Sequence, residues 1–212
     1  MVYIVSYVTK EDIFFLNNLS VEDENIVVGV DQGANVLLCY NIVPDYIIGD
    51  FDSFIGLIKD VPDTVKIIKL DKKKDYSDLE YAIDYFIDKH KDICIVNNMQ
   101  GRLDHILACL TLIEKSTSKT KIFICNHFEE IRLLSETNVL NFKKNTLVSL
   151  IPLSEKVLNV STNGLEYPLT SETLFRNSSR GLSNIVKNET IEISFKTGKL
   201  LLISQSNRRD ND

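Results

Sequence analysis

Ile26-Val27-Val28-Gly29-Val30-Asp31-Gln32-Gly33-Ala34-Asn35 runs from a short apolar block straight into a carboxylate, a glycine and a helical pattern reaching Tyr40. A short apolar run bounded in this way reads as a buried strand, with the acid as the first residue beyond the sheet. The same grammar recurs on either side. Strand-like runs stand at Val2–Val8, Tyr46–Ile48, Val65–Leu70, Ile93–Val96 and Lys121–Cys125. Helix candidates lie between them, near Asp12–Leu19, Gly33–Tyr40, Ser53–Lys59, Ser77–Lys89 and Asp104–Lys115. In the segment from Ser77, residues Leu79, Ile83, Phe86 and Ile87 form an apolar stripe of helical period. Strands alternating with helices predict βαβ units and a Rossmann-like, mostly parallel sheet covered on both faces, an α/β fold.

After Cys125 the pattern changes. Thr146–Ile151, Lys156–Ser161, Thr190–Phe195 and Lys199–Ser204 are short β-rich runs separated by turn signals. Asn163-Gly164 and Thr197-Gly198 read as tight turns, the second between two strand candidates. This half predicts a small antiparallel β-sandwich or barrel. The boundary falls within Asn126–Lys144, giving domains 1–128 and 129–212, and Asn207–Asp212 reads as a frayed polar tail.

Ligands of open parallel sheets bind beyond the carboxyl ends of the strands. Asp31, Asp50 and Asp52 follow strand candidates directly, and Asp75 and Asp104 lie in loops just after others, so the carboxylates can converge on one sheet edge. Hard cations such as Mg²⁺ take oxygen ligands, usually one or two carboxylates together with substrate phosphates. In extended backbone, Asp50-Phe51-Asp52 would turn both acids to one side. An Asx turn flanked by Gly49 and Ser53 explains the same residues without a ligand. Aspartyl-phosphate hydrolases also carry D-x-D after a strand, but they expect Thr or Val where Phe54 stands. Metal-dependent glycosyltransferases carry it too, so the motif alone names no reaction.

Ser77-Asp78-Leu79-Glu80 is a capping box opening the fourth helix candidate, and Asp78 in its first turn suits the helix dipole. The loop Lys72-Lys73-Lys74-Asp75 mixes cations with an acid, which suits a phosphate and its metal as well as a solvated surface. In Gly101-Arg102-Leu103-Asp104-His105, Arg102 offers a planar donor fork for phosphate. Asp104 reads equally as a helix N-cap, and His105 equally as a packed first-turn residue or a substrate contact. There is no G-x-G-x-x-G, no G-x-x-x-x-G-K-[ST] and no kinase H-R-D loop, so a nucleotide must be held through side chains and metal.

The net charge of −6 excludes a general nucleic-acid or anionic-membrane binder. No apolar stretch is long enough to span a bilayer, and the N-terminus shows no basic leader, so a cytoplasmic protein is expected. Cys39, Cys94, Cys109 and Cys125 form no C-x-x-C pair, and all are expected to be free thiols.

Taken together, these segments resemble the thiamine pyrophosphokinase family over nearly the whole chain. That family carries D-G-G-A-N, P-D-x-I-x-G-D-F-D-S, K-D-x-T-D-x-E, G-G-R-x-D-H, G-L-x-Y-P-L and G-x-S-N in this order. The chain has Asp31–Asn35, Pro44–Ser53, Lys74–Glu80, Gly101–His105, Gly164–Leu169 and Gly181–Asn184. The resemblance implies a catalytic ATP- and Mg²⁺-binding α/β domain, a thiamine-binding and dimerising β-sandwich, and a homodimer with active sites at the subunit junction. The implied reaction moves pyrophosphate from ATP to the thiamine hydroxyl, giving thiamine diphosphate and AMP. By position, Asp50, Asp52 and Asp78 are the implied metal ligands, with Asp31 and Asp75 beside them. Lys74 and Arg102 would meet phosphates, Asp104 would complete the acidic catalytic set, and His105 would border the substrates. Ser183 and Asn184 would reach thiamine from the partner subunit, while Tyr167 reads as a core aromatic on a strand. Gln32 replaces a family glycine and Ser77 a threonine, and Asn97-Asn98-Met99-Gln100 stands where the family has a glycine-richer loop. Two rivals remain: a related transferase with another alcohol acceptor, and a ligand-binding dimer without turnover, for which that loop speaks.

Overall fold

The computed structural model describes residues 1–13, 25–51 and 61–205, which fall into two units, Met1–His127 and Phe128–Asp212. In the first unit, β1 (Val2–Val5), β2 (Ile26–Val30), β3 (Tyr46–Gly49), β4 (Lys66–Lys69), β5 (Asp92–Val96) and β6 (Lys121–Cys125) pair throughout in parallel. Their order is β6-β5-β1-β2-β3-β4. The strands at the middle are buried on both faces, which is why they read as unbroken apolar runs. Helices α1 (Gln32–Cys39), α2 (Asp78–Phe86) and α3 (Leu103–Leu112) follow β2, β4 and β5. Of the Asp12–Leu19 helix candidate only the first residues are described, and Ser53–Lys59 lies outside the described residues.

Local chemistry sets the ends of these elements. Ser77 caps α2, its Oγ accepting from Glu80 N at 3.1 Å, while the Glu80 carboxylate turns to Lys115 at 2.8 Å. The helix stops at Phe86, three residues short of the sequence expectation, just before Asp88 takes a left-handed φ of 59°. Gly33 is required by close approach: a β-carbon there would strike the Val5 carbonyl. The chain itself fills that space as α1 seats against the end of β1. Asp12 is buried and receives Thr9 N at 2.8 Å, Thr9 Oγ1 at 2.9 Å, His127 N at 3.0 Å and His127 Nδ1 at 2.8 Å. This one carboxylate ties the segment after β1 to the end of β6.

The cysteine expectation is corrected. Cys94 and Cys125 are joined by a disulfide, their Cα atoms 6.5 Å apart, while Cys39 and Cys109 are free. Neither spacing nor motif could show this, because the pair is made by sheet register. Cys125 lies opposite Val96, one pleat along from Cys94 and on the same face.

The second unit is a sandwich of two antiparallel sheets. One holds β7 (Glu129–Leu133), β9 (Leu147–Pro152), β12 (Asn184–Ile185) and β14 (Leu200–Gln205), in the order β12-β9-β14-β7. The other holds β8 (Thr137–Asn141), β10 (Lys156–Asn163), β11 (Glu172–Phe175) and β13 (Thr190–Ser194), in the order β11-β10-β13-β8. Alternate residues such as Val148, Leu150, Val157, Ile191, Ile193 and Leu202 meet in the core between them. The stretch expected to hold the boundary, Asn126–Lys144, also contains β7 and β8, whose charged and polar residues hide the alternation. Thr197-Gly198 does turn, with Gly198 at a φ of 110°, but β13 and β14 enter opposite sheets instead of forming a hairpin. Among the described residues no helix is long and apolar enough to cross a membrane.

Candidate active site

From β1 the chain builds outward to β4, then returns to set β5 on the other side of β1. This reversal opens a crevice beyond the carboxyl ends of the strands. A cavity of about 1340 Å³ occupies it, lined by strand-end residues including Ser6, Asp31 and Asp50 and by parts of α1, α2 and α3. That is more room than one drug-sized ligand needs and enough for a nucleotide with a second substrate.

Three of the expected residues, Asp31, Asp50 and Asp78, line its acidic side, and Lys74 reaches Asp78 from the neighbouring groove. Asp31 takes a φ of 49° at the end of β2, which turns its carboxylate over Gly49, where any β-carbon would collide with it. Asp78, the first residue of α2, comes from the opposite wall. Lys74 Nζ lies 3.1 Å from Asp78 Oδ1 and also donates to the Asp71 carbonyl at 2.8 Å. The contact with Asp78 is a close ion pair in a buried place. Burial, then the charge of Asp78, a hydrogen bond shared with it and the charge of Asp50 push the Asp31 carboxyl up to about 7. Burial pulls the Lys74 ammonium down, but the surrounding carboxylates outweigh it and raise its pKa. Three carboxylates against one ammonium leave excess negative charge in a buried place. A divalent cation, which takes oxygen ligands, fits the chemistry of this donor set. Among the described residues no three such groups close into a complete metal cage by themselves.

Asp52 lies outside the described residues. The extended D-x-D geometry is corrected at Phe51, which has a left-handed φ of 61° and packs against the cluster of Ala34, Ile47 and Val65. Asp75 is exposed and borders a separate groove beside Tyr76 rather than the main cavity. Arg102, Asp104 and His105 do line the cavity, at its rim. Arg102 forks onto Asp104, with Nε to Oδ1 at 3.1 Å and Nη2 to Oδ2 at 2.6 Å, which holds the Asp104 carboxyl below its ordinary range. Arg102, not Asp104, occupies the N-cap position of α3.

In the sandwich unit Ser183 is exposed at a φ of 54°, its N–H donating to Ser149 Oγ at 3.1 Å. The Asn184 amide faces inward. It accepts from Tyr167 N at 3.0 Å and donates to the Tyr167 carbonyl at 2.7 Å. Tyr167 is neither on a strand nor in the core: its side chain is 57% exposed, near Leu182 in exposure at 49%. Sequence reasoning missed Tyr7, Cys39, Tyr40, Asn97 and Gln100, which also line the cavity. Tyr7 had been absorbed into an over-long first strand, and only the position of Asn97 and Gln100 after β5 could have signalled them.

Two comparisons cover most of the chain. Residues 18–125 match the family described as Thiamin pyrophosphokinase, catalytic domain, and residues 136–200 match Thiamin pyrophosphokinase, vitamin B1 binding domain. A thiamine pyrophosphokinase of Bacillus subtilis (strain 168) is 27% identical over 190 residues, covering 86% of this chain and 88% of its own. The crystal structure of thiamine pyrophosphokinase from Bacillus subtilis superposes with a TM-score of 0.86 at 26% identity, covering 97% of this chain and 99% of that one. The enzyme from Geobacillus thermodenitrificans gives 0.84 at 28% identity, with 98% of each chain covered. An α/β unit with a carboxylate-lined crevice, a β-sandwich after it and both family matches in order make this chain a member of the thiamine pyrophosphokinase family.

Proposed function

We propose that the carboxylate-lined crevice of the first unit is where this enzyme transfers pyrophosphate from ATP to thiamine. The carrying observation is the convergence of Asp31, Asp50 and Asp78 with Lys74 at strand ends far apart in sequence. On this reading Asp50, Asp78 and the sequence-matched Asp52 hold Mg²⁺, with Asp31 beside them. The bound ion would neutralise phosphate charge and align the transferring group. Lys74 meets a phosphate from beside Asp78, and Arg102 exchanges its Asp104 partner for phosphate at the rim. Asp104, once released, and His105 border the acceptor. Asp75, on the neighbouring groove, contributes at longer range. The thiamine hydroxyl oxygen bonds to the β-phosphorus while the bridge to the α-phosphate breaks. AMP leaves with the bridging oxygen, and the hydroxyl proton passes to water or to an aspartate of the site.

Thiamine itself is assigned to Ser183 and to the exposed Tyr167 and Leu182, with Asn184 acting through the Tyr167 backbone that it clamps. The family resemblance has the sandwich of one subunit serve the crevice of another, so the proposal includes a homodimer. The exposed Leu103 and Leu107 of α3 are apolar surface such a partner would cover. An ATP-consuming enzyme works where ATP is made, and a cytoplasmic location is part of the proposal.

The test is to incubate the protein with ATP, Mg²⁺ and thiamine and to separate the nucleotides. AMP and thiamine diphosphate, formed together and only with thiamine and metal, are expected, and Asp50→Ala should abolish both while remaining folded. ADP in place of AMP would mean single phosphoryl transfer. A fully active monomer by mass measurement would sink the shared site.

A further inference from the structure

The loop after β5, Asn97–Gln100, has an internal construction of its own. Asn97 and Asn98 are 9% and 3% exposed, although they are polar and stand in a loop. Asn97 Oδ1 accepts from Met99 N at 2.8 Å, and Asn98 Oδ1 accepts from Gln100 N at 2.9 Å. These are two consecutive side-chain-capped turns. Between them Met99 takes a φ of 55°, a conformation that glycine adopts freely and other residues do not. The asparagine side chains supply by hydrogen bonding what a glycine would supply by lacking a side chain.

The turns are anchored from both sides. Asn97 Nδ2 donates to Ser6 Oγ at 3.0 Å and its N–H to the Cys125 carbonyl at 3.1 Å. Asn98 N donates to the Tyr7 carbonyl at 2.8 Å. The loop is thereby stitched to the ends of β1 and β6, across the point where the sheet order reverses. What it carries is the cavity rim: Gln100, Gly101 and Arg102 all line the crevice, and Gly101, at a φ of 96°, lies against the Tyr7 ring.

We propose that Asn97 and Asn98 are positioning residues for the pyrophosphoryl transfer, holding the Gln100–Arg102 rim in the shape in which it meets the polyphosphate of ATP. This rests on reading the crevice as the ATP site.

Asn98→Ala and Asn98→Asp are compared for kcat, KM for each substrate and thermal midpoint, all at a temperature where both are folded. Removing one capping bond should raise KM for ATP about fivefold, with KM for thiamine unchanged. Asn98→Asp keeps an oxygen for Gln100 N–H and should return KM to within about twofold of the parent. Met99→Gly added to Asn98→Ala should recover KM, because glycine holds the left-handed turn unaided; mere loss of buried contact would not be repaired in this way. A folded Asn98→Ala enzyme with unchanged KM and kcat, or an Asp variant as impaired as the Ala variant, overturns the proposal. Arg102→Ala is the separate control: an unchanged KM for ATP there refutes the phosphate role of Arg102, while the Asn98 pair still decides whether Asn98 sets the rim.

Discussion

Asp31 shows how a residue can be costly to the fold where the proposed chemistry has a use for it. Its carboxyl is pushed up to about 7 by burial and by the charges of Asp78 and Asp50. Without a cation the ionised form weakens the folded state, because its folded pKa lies above the ordinary carboxylate value. Asp31→Asn should therefore raise the midpoint of metal-free protein at pH 8 by roughly 2–4 °C, about 1 kcal/mol for a chain of this size. The same variant should lose thiamine-dependent AMP formation, so differential scanning and product assay must move in opposite directions. The cysteines make a second prediction. Cys39 is exposed at the cavity wall, while burial pushes the Cys109 thiol up to about 12. A thiol reagent at neutral pH should modify Cys39 first, more slowly when ATP is bound. Denaturation should expose two thiols before reduction and four after it. Single acids were legible because they end strand-like runs. Tyr7 and Cys39 were not, since nothing in their neighbours distinguishes a cavity wall from any other surface.

At the scale of elements, the sequence was most readable where one periodicity ran unbroken, as in β2, β5 and α2 with its serine cap. It failed where tertiary context overrode local pattern. Phe51 leaves the extended conformation because its ring packs on Ala34, Ile47 and Val65, which no alternation rule anticipates. The Cys94–Cys125 bond and the Asp12 clasp are likewise products of register, joining positions 31 and 115 residues apart. The clasp has a definite pH signature. Burial opposes ionisation of Asp12, but hydrogen bonds from Thr9 and His127 outweigh it and hold the carboxyl below its ordinary range. A depressed folded pKa gives stability that is present above the unfolded carboxylate value, near 4, and is lost as pH falls through the folded one. Asp12→Asn should lower stability at pH 6 by about 1–3 kcal/mol and flatten the acid limb of the curve below pH 4, read by urea titration.

Over the whole molecule, the class of each half was legible before any coordinates: strand–helix alternation first, then closely spaced β-rich runs. The pairing of the sandwich strands was not, because β13 and β14 are near neighbours in sequence yet belong to different sheets. Their placement has a measurable result. β14 lies between β7 and β9, so a chain ending at residue 198 takes from both the strand they share and removes Leu200 and Leu202 from the core. Such a truncation should abolish the cooperative unfolding of the sandwich while the first unit keeps its own transition, seen as one lost step in calorimetry. Strand order also governs how the two halves can assemble during synthesis. In the first unit each new strand joins an edge already open as it emerges: β2, β3 and β4 on one side of β1, then β5 and β6 on the other. That half can grow as the ribosome releases it. In the second, β13 must enter between β10 and β8, and β14 between β9 and β7, so each sheet waits for a strand made after both of its neighbours.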